Sequence, residues 1–291
     1  MTMIFEGVSF YYGKDPKTRV PALKNINFTI RDHEFVGLIG HTGSGKSTLV
    51  QHMNGLNLPA EGRVTVNGIT TSQKGANLKK LRQEVGLVFQ YPEDQLFEET
   101  IYKDIAFGPK NLGLDEKEID QRVRDAMAAV GLDFEKLHAV SPFEVSGGQK
   151  RRVAIAGVLA LHPTYLVLDE PTAGLDPRGR EEILGEIRQI YEQNPALTIV
   201  LVTHSMEDIA QYANRILVVD RGEIAMDGKP EEVFSKREDL ERRGLSVPQI
   251  TKLMSLLHEK NPAIAPQALT VEEAFRILSS YYKETREADH E

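Results

Sequence analysis

The sequence predicts an α/β protein built around a parallel sheet, and three patterns lead to this prediction. Short apolar runs, typical of buried parallel strands, recur at 35–39, 84–89, 165–168 and 198–203. A glycine-rich segment at 40–48 joins the first of these runs to a predicted helix that ends at about Met53. Two alternating segments, at 4–12 and 22–30, have the pattern of strands with one buried face.

The glycine-rich segment has the strand–turn–helix context of a phosphate-binding loop. Its glycines let successive backbone N–H groups turn inward, and the positive end of the following helix adds to this anion site. Lys46 can reach the β- and γ-phosphates of a nucleotide, and the hydroxyl of Ser47 can bind Mg²⁺. A surface turn rich in Gly and Ser is the alternative, but it requires neither the lysine nor the flanking elements. We therefore predict a nucleoside triphosphate site formed by Gly40, His41, Thr42, Gly43, Ser44, Gly45, Lys46, Ser47 and Thr48.

The composition argues against several kinds of site. The formal net charge of the 291 residues is −8 and there is no long basic run, which argues against sequence-independent nucleic-acid binding. The absence of cysteine excludes disulfides, thiol catalysis and cysteine metal sites. The apolar run at 153–161 is too short to span a bilayer, and we expect no signal peptide at the N-terminus. Any action at a membrane is therefore expected to go through a partner.

Two tyrosines precede the first loop, which we predict to turn at 14–17. Tyr11 and Tyr12 fit the pattern of half-buried strand residues. One of them, with Tyr12 favoured by spacing, fits equally well as a side chain that stacks on a nucleotide base. The sequence leaves both interpretations open.

Gln90 follows the second apolar run, and ligands of α/β sheets collect at the carboxyl ends of strands. Its amide can bind Mg²⁺ or water, although most glutamines after strands only cap a turn. From 91 to 150 the apolar runs shorten and the charges become frequent, which we interpret as a small inserted helical subdomain. Helical spacing is clearest for Ile119, Val123, Met127 and Val130.

The helical subdomain ends at what we call the signature segment, which consists of Ser146, Gly147, Gly148 and Gln149. A hydroxyl and two glycines at the start of a long predicted helix make a second anion-binding helix start. Alone, such a sequence is more simply an N-cap with a permissive turn. Two such sites in one domain make sense if the second faces the nucleotide of another copy.

Two more apolar strands end in residues that can carry chemistry. Asp169 and Glu170 end the third run, where a buried strand needs no charge unless a site is there. Asp169 fits as a carboxylate that binds Mg²⁺ through water, and Glu170 as the residue that orients or deprotonates the attacking water. His204 ends the fourth run. A lone histidine is more often structural, but at this third strand end it fits as a contact of the γ-phosphate.

We expect residues 1–238 to form the main domain and residues 239–291 a helical extension. The first amphipathic helix of the extension carries Val247, Ile250, Leu253, Met254 and Leu257 on one face. Thr270 and Glu273 predict a capping box for the second helix, and the chain is expected to fray from Thr285. The two helices either pack on the parent domain or contact a second ATPase subunit. Of these two interpretations, we favour the contact with a second subunit.

In this order, the motifs resemble those of the nucleotide-binding subunits of ABC ATPases over about residues 3–235. The matching residues are the Walker A loop 40–47, Gln90, the signature segment, the Walker B pair Asp169–Glu170, the D-loop Asp176 and the switch histidine His204. The resemblance implies a P-loop ABC ATPase core with an antiparallel β subdomain, an inserted helical subdomain and a small C-terminal helical extension, and it implies the use of ATP and Mg²⁺. It implies catalytic roles for Lys46, Glu170 and His204, and a metal site at Ser47, Gln90 and Asp169. It also implies a head-to-tail dimer in which each nucleotide lies between one Walker A loop and the other subunit's signature.

A narrower resemblance is to the second, A′-type ATPase of energy-coupling factor (ECF) importers, carried by 40–46, 89–97, 107–111 and 141–144. Val145 departs conservatively from the usual leucine. The resemblance implies a heterodimer with a homologous A-type ATPase at the cytoplasmic face of the membrane. It also implies a transmembrane T-component, and S-components that select vitamins or metal ions. Glu93 and Asp94 then contact arginines of the T-component; otherwise they belong to a solvated turn.

Two other functions share part of this pattern. A small-molecule or nucleotide kinase has a phosphate loop but no use for the signature segment. A soluble ABC protein acting on DNA or ribosomes shares every ATPase motif, but usually carries a duplicated cassette, coiled-coil insertions or basic arms. The sequence has none of these, so ATP hydrolysis coupled to import is the preferred interpretation.

Overall fold

The computed structural model of the chain describes residues 1–13, 15 and 18–288. The expected turn at 14–17 and the end of the chain at 289–291 thus lie wholly or largely outside the described residues. The strands are β1 Thr2–Tyr12, β2 Val20–Arg31, β3 Phe35–Ile39, β4 Glu61–Val66, β5 Ile69–Thr70, β6 Val85–Val88, β7 Tyr165–Asp169, β8 Thr198–Val202, β9 Arg215–Asp220 and β10 Glu223–Gly228. The helices are α1 Lys46–Met53, α2 Leu78–Glu84, α3 Ile101–Leu112, α4 Glu116–Ala129, α5 Phe134–Leu137, α6 Gly147–Leu159, α7 Pro177–Gln193, α8 Met206–Tyr212, α9 Pro230–Phe234, α10 Arg237–Arg242, α11 Gln249–Lys260 and α12 Val271–Ala288, with 3₁₀ turns at Pro92–Gln95 and Pro142–Glu144.

A six-stranded sheet in the order β10-β9-β3-β8-β7-β6 forms the centre of the molecule. Neighbouring strands from β9 to β6 pair in parallel, and β10 returns antiparallel to β9. Every residue of β3, β7 and β8 is buried, which explains why these segments are continuous apolar runs. Because the parallel strands point the same way, the residues after β3, β6, β7 and β8 meet at one edge of the sheet.

The predicted antiparallel part is a second sheet, in the order β2-β1-β4-β5. Phe5 pairs with Phe28 across β1 and β2, and their rings stack with centroids 4.5 Å apart. The inner face of this sheet shares one apolar core with α1 and one face of the six-stranded sheet. At Gly62 (φ +76°), a Cβ would lie 2.3 Å from the carbonyl oxygens of Glu6 and Gly7, so this close approach requires glycine.

The helical insertion expected at 91–150 consists of α3, α4, α5 and the start of α6. Its buried side chains join a second large core on the other face of the central sheet, together with those of α7 and α8. The predicted helical face of α4 is confirmed, since Ile119, Val123 and Met127 are all buried. The subdomain is therefore packed on the sheet, and α6 connects it to β7.

The C-terminal extension packs partly on the main domain and partly on itself. Leu240, Leu245 and Val247 are buried in the large helical core. Leu269, between α11 and α12, packs against the same core, and the N–H of Gln249 at the start of α11 donates to Glu207 Oε1 at 3.2 Å. The small core between α11 and α12 contains Met254, Ile264, Ala268 and Ala274.

Three details of the extension differ from the expectation. Leu253 is 48% exposed, so the predicted helical face is narrower than the spacing indicated. The Thr270 hydroxyl accepts the Glu273 N–H, but the Glu273 carboxylate accepts from Leu269 N–H, so the capping box is only half formed. Helix α12 continues past Thr285 to Ala288. In the part of the chain that the structure describes, no helix is both long and apolar enough to cross a membrane.

Candidate functional site

The phosphate loop is held tightly against the central sheet. A Cβ at Gly40 would lie 2.3 Å from the carbonyl oxygen of Val219 and 2.5 Å from the Ser44 hydroxyl, so the loop passes β9 only because this residue is glycine. Gly45 caps α1 with a φ of 111°, which also favours glycine. The backbone N–H groups at the start of α1 thus lie at the carboxyl edge of the sheet, where they can bind an anion.

The ammonium group of Lys46 is buried inside this loop. Its Nζ donates to the carbonyl oxygens of Gly40 at 2.7 Å and His41 at 3.1 Å. Burial lowers the pKa of Lys46, and the negative charges of Glu170 and Asp169 oppose that effect. Lys46 therefore stands between the backbone of the loop and the two carboxylates that follow β7.

Asp169 ends β7 as one of the few buried carboxylates, with 7% of the residue exposed. Burial raises the pKa of Asp169, while a hydrogen bond from Ser47 and the charge of Lys46 oppose the rise. The hydroxyl and the carboxylate expected to flank Mg²⁺ are thus in contact in the structure.

Glu170 lies at the centre of a three-residue cluster. The Nε2 atom of His204 is 2.8 Å from Glu170 Oε1, and Gln90 Nε2 donates to Glu170 Oε2 at 3.4 Å. Glu170 has a φ of 51°, a left-handed conformation that is unusual for a non-glycine residue, and its N–H donates to Val202 of β8. The structure therefore brings together the three polar side chains that follow β6, β7 and β8.

The donor set fits Mg²⁺ bound together with a nucleotide. Among the described residues, no group of three or more His, Cys, Asp or Glu side chains is arranged to hold a metal ion. The site instead offers a small set of hard oxygen donors, namely the Ser47 hydroxyl, the Asp169 carboxylate and the Gln90 amide. Mg²⁺ is commonly held by one or two protein groups, water and substrate phosphates.

Two candidate nucleotide contacts lie on the other side of the loop. The ring of Tyr12 is exposed at the end of β1, and its hydroxyl is 3.1 Å from the Thr48 hydroxyl. Stacking of Tyr12 on a nucleotide base stays a prediction. His41 Nε2 lies 3.3 Å from Asp220 Oδ1 at the end of β9, and Asp220 also pairs with Arg243. The sequence analysis missed Asp220, although it ends an apolar strand as Asp169 does.

The signature segment opens α6 as predicted. The Ser146 hydroxyl accepts the Gln149 N–H at 3.3 Å, and Gln149 Oε1 accepts the Ser146 N–H at 3.1 Å, which completes a capping box. A Cβ at Gly147 or Gly148 would meet no atom within 4 Å, and neither residue has a positive φ. No hydrogen bond or ion pair of the described residues joins this segment to the phosphate loop. The fold of this chain therefore gives no reason for the two glycines.

The two acidic residues after Gln90 have different surroundings. Asp94 is exposed, whereas the Glu93 carboxylate accepts two hydrogen bonds from Arg151 of α6, from Nε at 3.1 Å and from Nη2 at 2.7 Å. The sequence analysis missed Arg151 entirely. Asp176, in the loop after β7, caps α7 through its Oδ1, which accepts the Gly179 N–H at 2.7 Å.

Comparisons with known proteins agree with this arrangement. The family profile described as ABC transporter matches residues 23–173. The energy-coupling factor transporter ATP-binding protein EcfA2 of Caldanaerobacter subterraneus subsp. tengcongensis is 55% identical over 286 residues, which cover 98% of this chain and 99% of that protein. The protein of the same name from Clostridium perfringens is 54% identical and covers 92% of this chain and 93% of its own.

Solved structures give the same result. CbiO1 from Clostridium perfringens, described as part of the ABC transporter complex cbiONQ, aligns with a TM-score of 0.72 at 38% identity and covers 87% of this chain and 98% of its own. The dimeric ATP-binding cassette MJ0796, bound to ADP and Pi, aligns with a TM-score of 0.69 at 29% identity and covers 78% of this chain and 98% of its own.

Proposed function

The chain belongs to the ABC transporter family as an ATPase subunit, and on that premise we propose that it powers an energy-coupling factor importer. In this proposal it pairs with a homologous A-type ATPase at the cytoplasmic face of the membrane. The pair acts under a transmembrane T-component, and S-components deliver vitamins or metal ions. The relatives named above, which match nearly the whole chain, support this assignment over other ABC functions.

The observation that carries the catalytic part is the cluster of Gln90, Glu170 and His204 beside the phosphate loop. Gln90 and His204 both contact Glu170, at 3.4 and 2.8 Å, and the charges of Glu170 and Asp169 act on the buried Lys46. Here a carboxylate with a histidine and an amide on either side fits the positioning of a water molecule.

In the proposed mechanism, Lys46 and the N–H groups of the loop bind the β- and γ-phosphates of ATP. Ser47, with Gln90 and Asp169 through water, would hold Mg²⁺, which would neutralise phosphate charge. Glu170 orients a water molecule and accepts its proton as the water oxygen bonds to the γ-phosphorus. The bond between the γ-phosphorus and the β–γ bridging oxygen then breaks, which gives ADP and phosphate. His204 holds Glu170 and contacts the γ-phosphate, so most of the catalysis is positioning and charge stabilisation.

The signature segment acts on the nucleotide of the partner subunit in this proposal. Ser146 and Gly148 approach the partner's γ-phosphate, and a close approach of this kind explains two glycines that the chain's own packing does not require. Asp176, at the exposed start of α7, lies in the segment expected to contact the other subunit.

The surface after Gln90 supports the proposed coupling to the T-component. Phe97 and Phe107 are 59% and 45% exposed and pack edge to face, with ring centroids 5.0 Å apart. The exposed Asp94 lies in the turn that precedes Phe97, and an apolar patch with an acidic residue close to it in sequence suits an amphipathic helix that carries an arginine.

Reconstitution into liposomes tests the proposed function. The chain is combined with its candidate A-type partner, a T-component and one S-component, and uptake of the S-component's vitamin or metal ion is measured with ATP enclosed on the side of the ATPases. We expect uptake that requires ATP and all four components. ATP hydrolysis without uptake for any S-component would contradict the transport assignment, and transfer of phosphate to a small acceptor would contradict the ATPase assignment.

A further inference from the structure

Arg151 is a charged side chain in a position where charges are rare. It lies in the first turns of α6, directly after the signature segment, and is 2% exposed. Its Nε and Nη2 donate to the two carboxylate oxygens of Glu93, and its Nη1 donates to the carbonyl oxygen of Ala173 at 2.9 Å. Each of the three guanidinium nitrogens therefore has a partner, which is what burial of this group requires.

Arg151 and its two partners belong to three segments of the site. Glu93 lies in the 3₁₀ turn that follows Gln90. Ala173 lies in the loop between Glu170 and Asp176. Because Arg151 itself follows the signature segment, one side chain links the part that acts on the partner's nucleotide to both segments around this chain's own catalytic water.

We propose that Arg151 is a positioning residue for ATP hydrolysis, whose guanidinium keeps the signature segment, the turn after Gln90 and the Glu170–Asp176 loop in one fixed arrangement. The inference rests on the ATPase part of the proposed function, and not on the identity of the membrane partners. It also assigns Glu93 an internal partner, so that Asp94 is the acidic residue of this turn that is free to meet a T-component.

The electrostatics of the pair are consistent with a fixed link. Burial acts to raise the pKa of Glu93, but the hydrogen bond and charge of Arg151, together with the charge of Lys150, outweigh it and lower the pKa. The carboxylate is therefore ionised at neutral pH and holds a planar guanidinium in a two-point contact. Lysine cannot reproduce this contact, because its single ammonium group lacks the forked geometry.

The position of Arg151 predicts which kinetic constant depends on it. ATP binding to the isolated chain uses the phosphate loop, which Arg151 does not touch. Hydrolysis needs the signature segment placed on the partner's nucleotide, where small displacements can cost large factors in rate. Arg151→Lys and Glu93→Gln are therefore expected to lower kcat at least about tenfold with little change in KM. Because both variants break one contact, the double variant should be little worse than the single ones.

Arg215 provides a matched control at the β9–β10 hairpin. Its Nε and Nη2 donate to the two carboxylate oxygens of Asp227 at 2.8 and 2.7 Å. Its Nη1 donates to the Thr29 carbonyl oxygen at 2.7 Å and to Glu34 Oε2 at 2.9 Å. Arg215→Lys thus removes a two-point carboxylate contact and a backbone contact, as Arg151→Lys does, and in addition the contact with Glu34, without touching the three segments that Arg151 links.

The test measures kcat, KM, binding of a fluorescent ATP analogue and unfolding midpoints for the assembled ATPase pair carrying each variant. We expect Arg151→Lys and Glu93→Gln to lose hydrolysis while analogue binding persists, and Arg215→Lys to lower the unfolding midpoint but keep kcat. Unchanged kcat in the two site variants, or an equal loss in Arg215→Lys, overturns the proposal. Glu93→Gln covers the case in which Arg151→Lys does not fold. A wild-type pair that hydrolyses ATP without supporting uptake refutes the transport proposal and leaves this test intact.

Discussion

His204 and Glu170 are in direct contact across neighbouring strands, with Nε2 of His204 2.8 Å from Oε1 of Glu170. The contact is possible because β7 and β8 pair in parallel, with Asp169 beside Val202, so the residues that follow them emerge side by side. Gln90 holds the second oxygen of Glu170 at 3.4 Å. The carboxylate is thus oriented from both sides, which is the preorganisation that the proposed water activation requires.

Glu170→Gln should abolish hydrolysis but keep ATP binding. The amide has the shape of the carboxylate and can keep one contact with His204, but it cannot accept the proton of the attacking water. We expect a loss of at least about 10²–10⁴-fold in kcat, as for removal of a general base. ATP-dependent dimerisation, measured by size-exclusion chromatography, should become stable because the closed dimer no longer opens by hydrolysis. Near-normal turnover would rule out Glu170 as the base.

Gly148→Ala should lower hydrolysis without lowering stability. The added Cβ meets no atom of this chain within 4 Å, and alanine favours a helix over glycine by roughly 0.5–1 kcal/mol. The methyl group would instead face the partner's γ-phosphate, so we expect kcat of the dimer to fall about tenfold or more, by the sensitivity of rate to small displacements.

Gly185→Ala on α7 is the control for Gly148→Ala, since this exposed helical glycine also has open space around its Cβ position. It should raise the free energy of unfolding by the same amount and leave kcat unchanged. Full activity of Gly148→Ala would show that the signature segment does not approach a phosphate closely.

The sequence predicted which polar residues follow the buried strands, but it did not predict the ion pair that joins the segments around the site. Continuous apolar runs identify buried parallel strands, and topology brings the residues after them to one edge, so Asp169, Glu170 and His204 could be placed together from local patterns. Arg151 and Glu93 are 58 residues apart, and their contact depends on how α6 packs against the turn after Gln90. No periodicity or spacing encodes such a pair, and the family resemblance implied instead that Glu93 contacts a partner.

The buried His52 should make the protein less stable as the pH falls below neutrality. Its ring is fully buried on α1, 2.7 Å from the Thr48 carbonyl oxygen through Nδ1 and edge to face with Phe10. Burial lowers the pKa of His52, and the hydrogen bond to Thr48 only partly opposes this. Between that lowered pKa and about 6.5, the unfolded chain binds more protons than the folded one, so the free energy of unfolding rises with pH in this window.

Urea denaturation at several pH values between about 5.5 and 7.5 checks the effect of His52. His52→Asn keeps a donor for Thr48 but does not titrate, so its stability should depend less on pH than that of the wild type. We also expect a loss of about 1–2 kcal/mol at pH 7.5 from the missing ring. Burial raises the pKa values of Asp169 and Asp208, which changes the pH dependence of stability in the opposite direction. The test therefore compares the pH dependence of the wild type with that of His52→Asn, since both proteins contain the two carboxyl groups. An identical pH dependence in both proteins would contradict the assignment.

The Phe97–Phe107 pair should couple hydrolysis to transport and contribute little to hydrolysis itself. Both rings are large and exposed, yet they pack on each other with centroids 5.0 Å apart and an interplanar angle of 89°. They are distant in sequence from Glu170, and none of the hydrogen bonds between described residues joins them to its cluster. An arrangement of this kind offers a rigid apolar surface to a partner helix at little entropic cost.

Phe97→Ser should therefore reduce uptake in proteoliposomes several-fold, while the ATPase pair without its membrane partners keeps its kcat. Phe275→Ser on α12 is the matched control, since this ring is 71% exposed and lies on the C-terminal extension. Equal uptake by the two variants would place the coupling surface elsewhere.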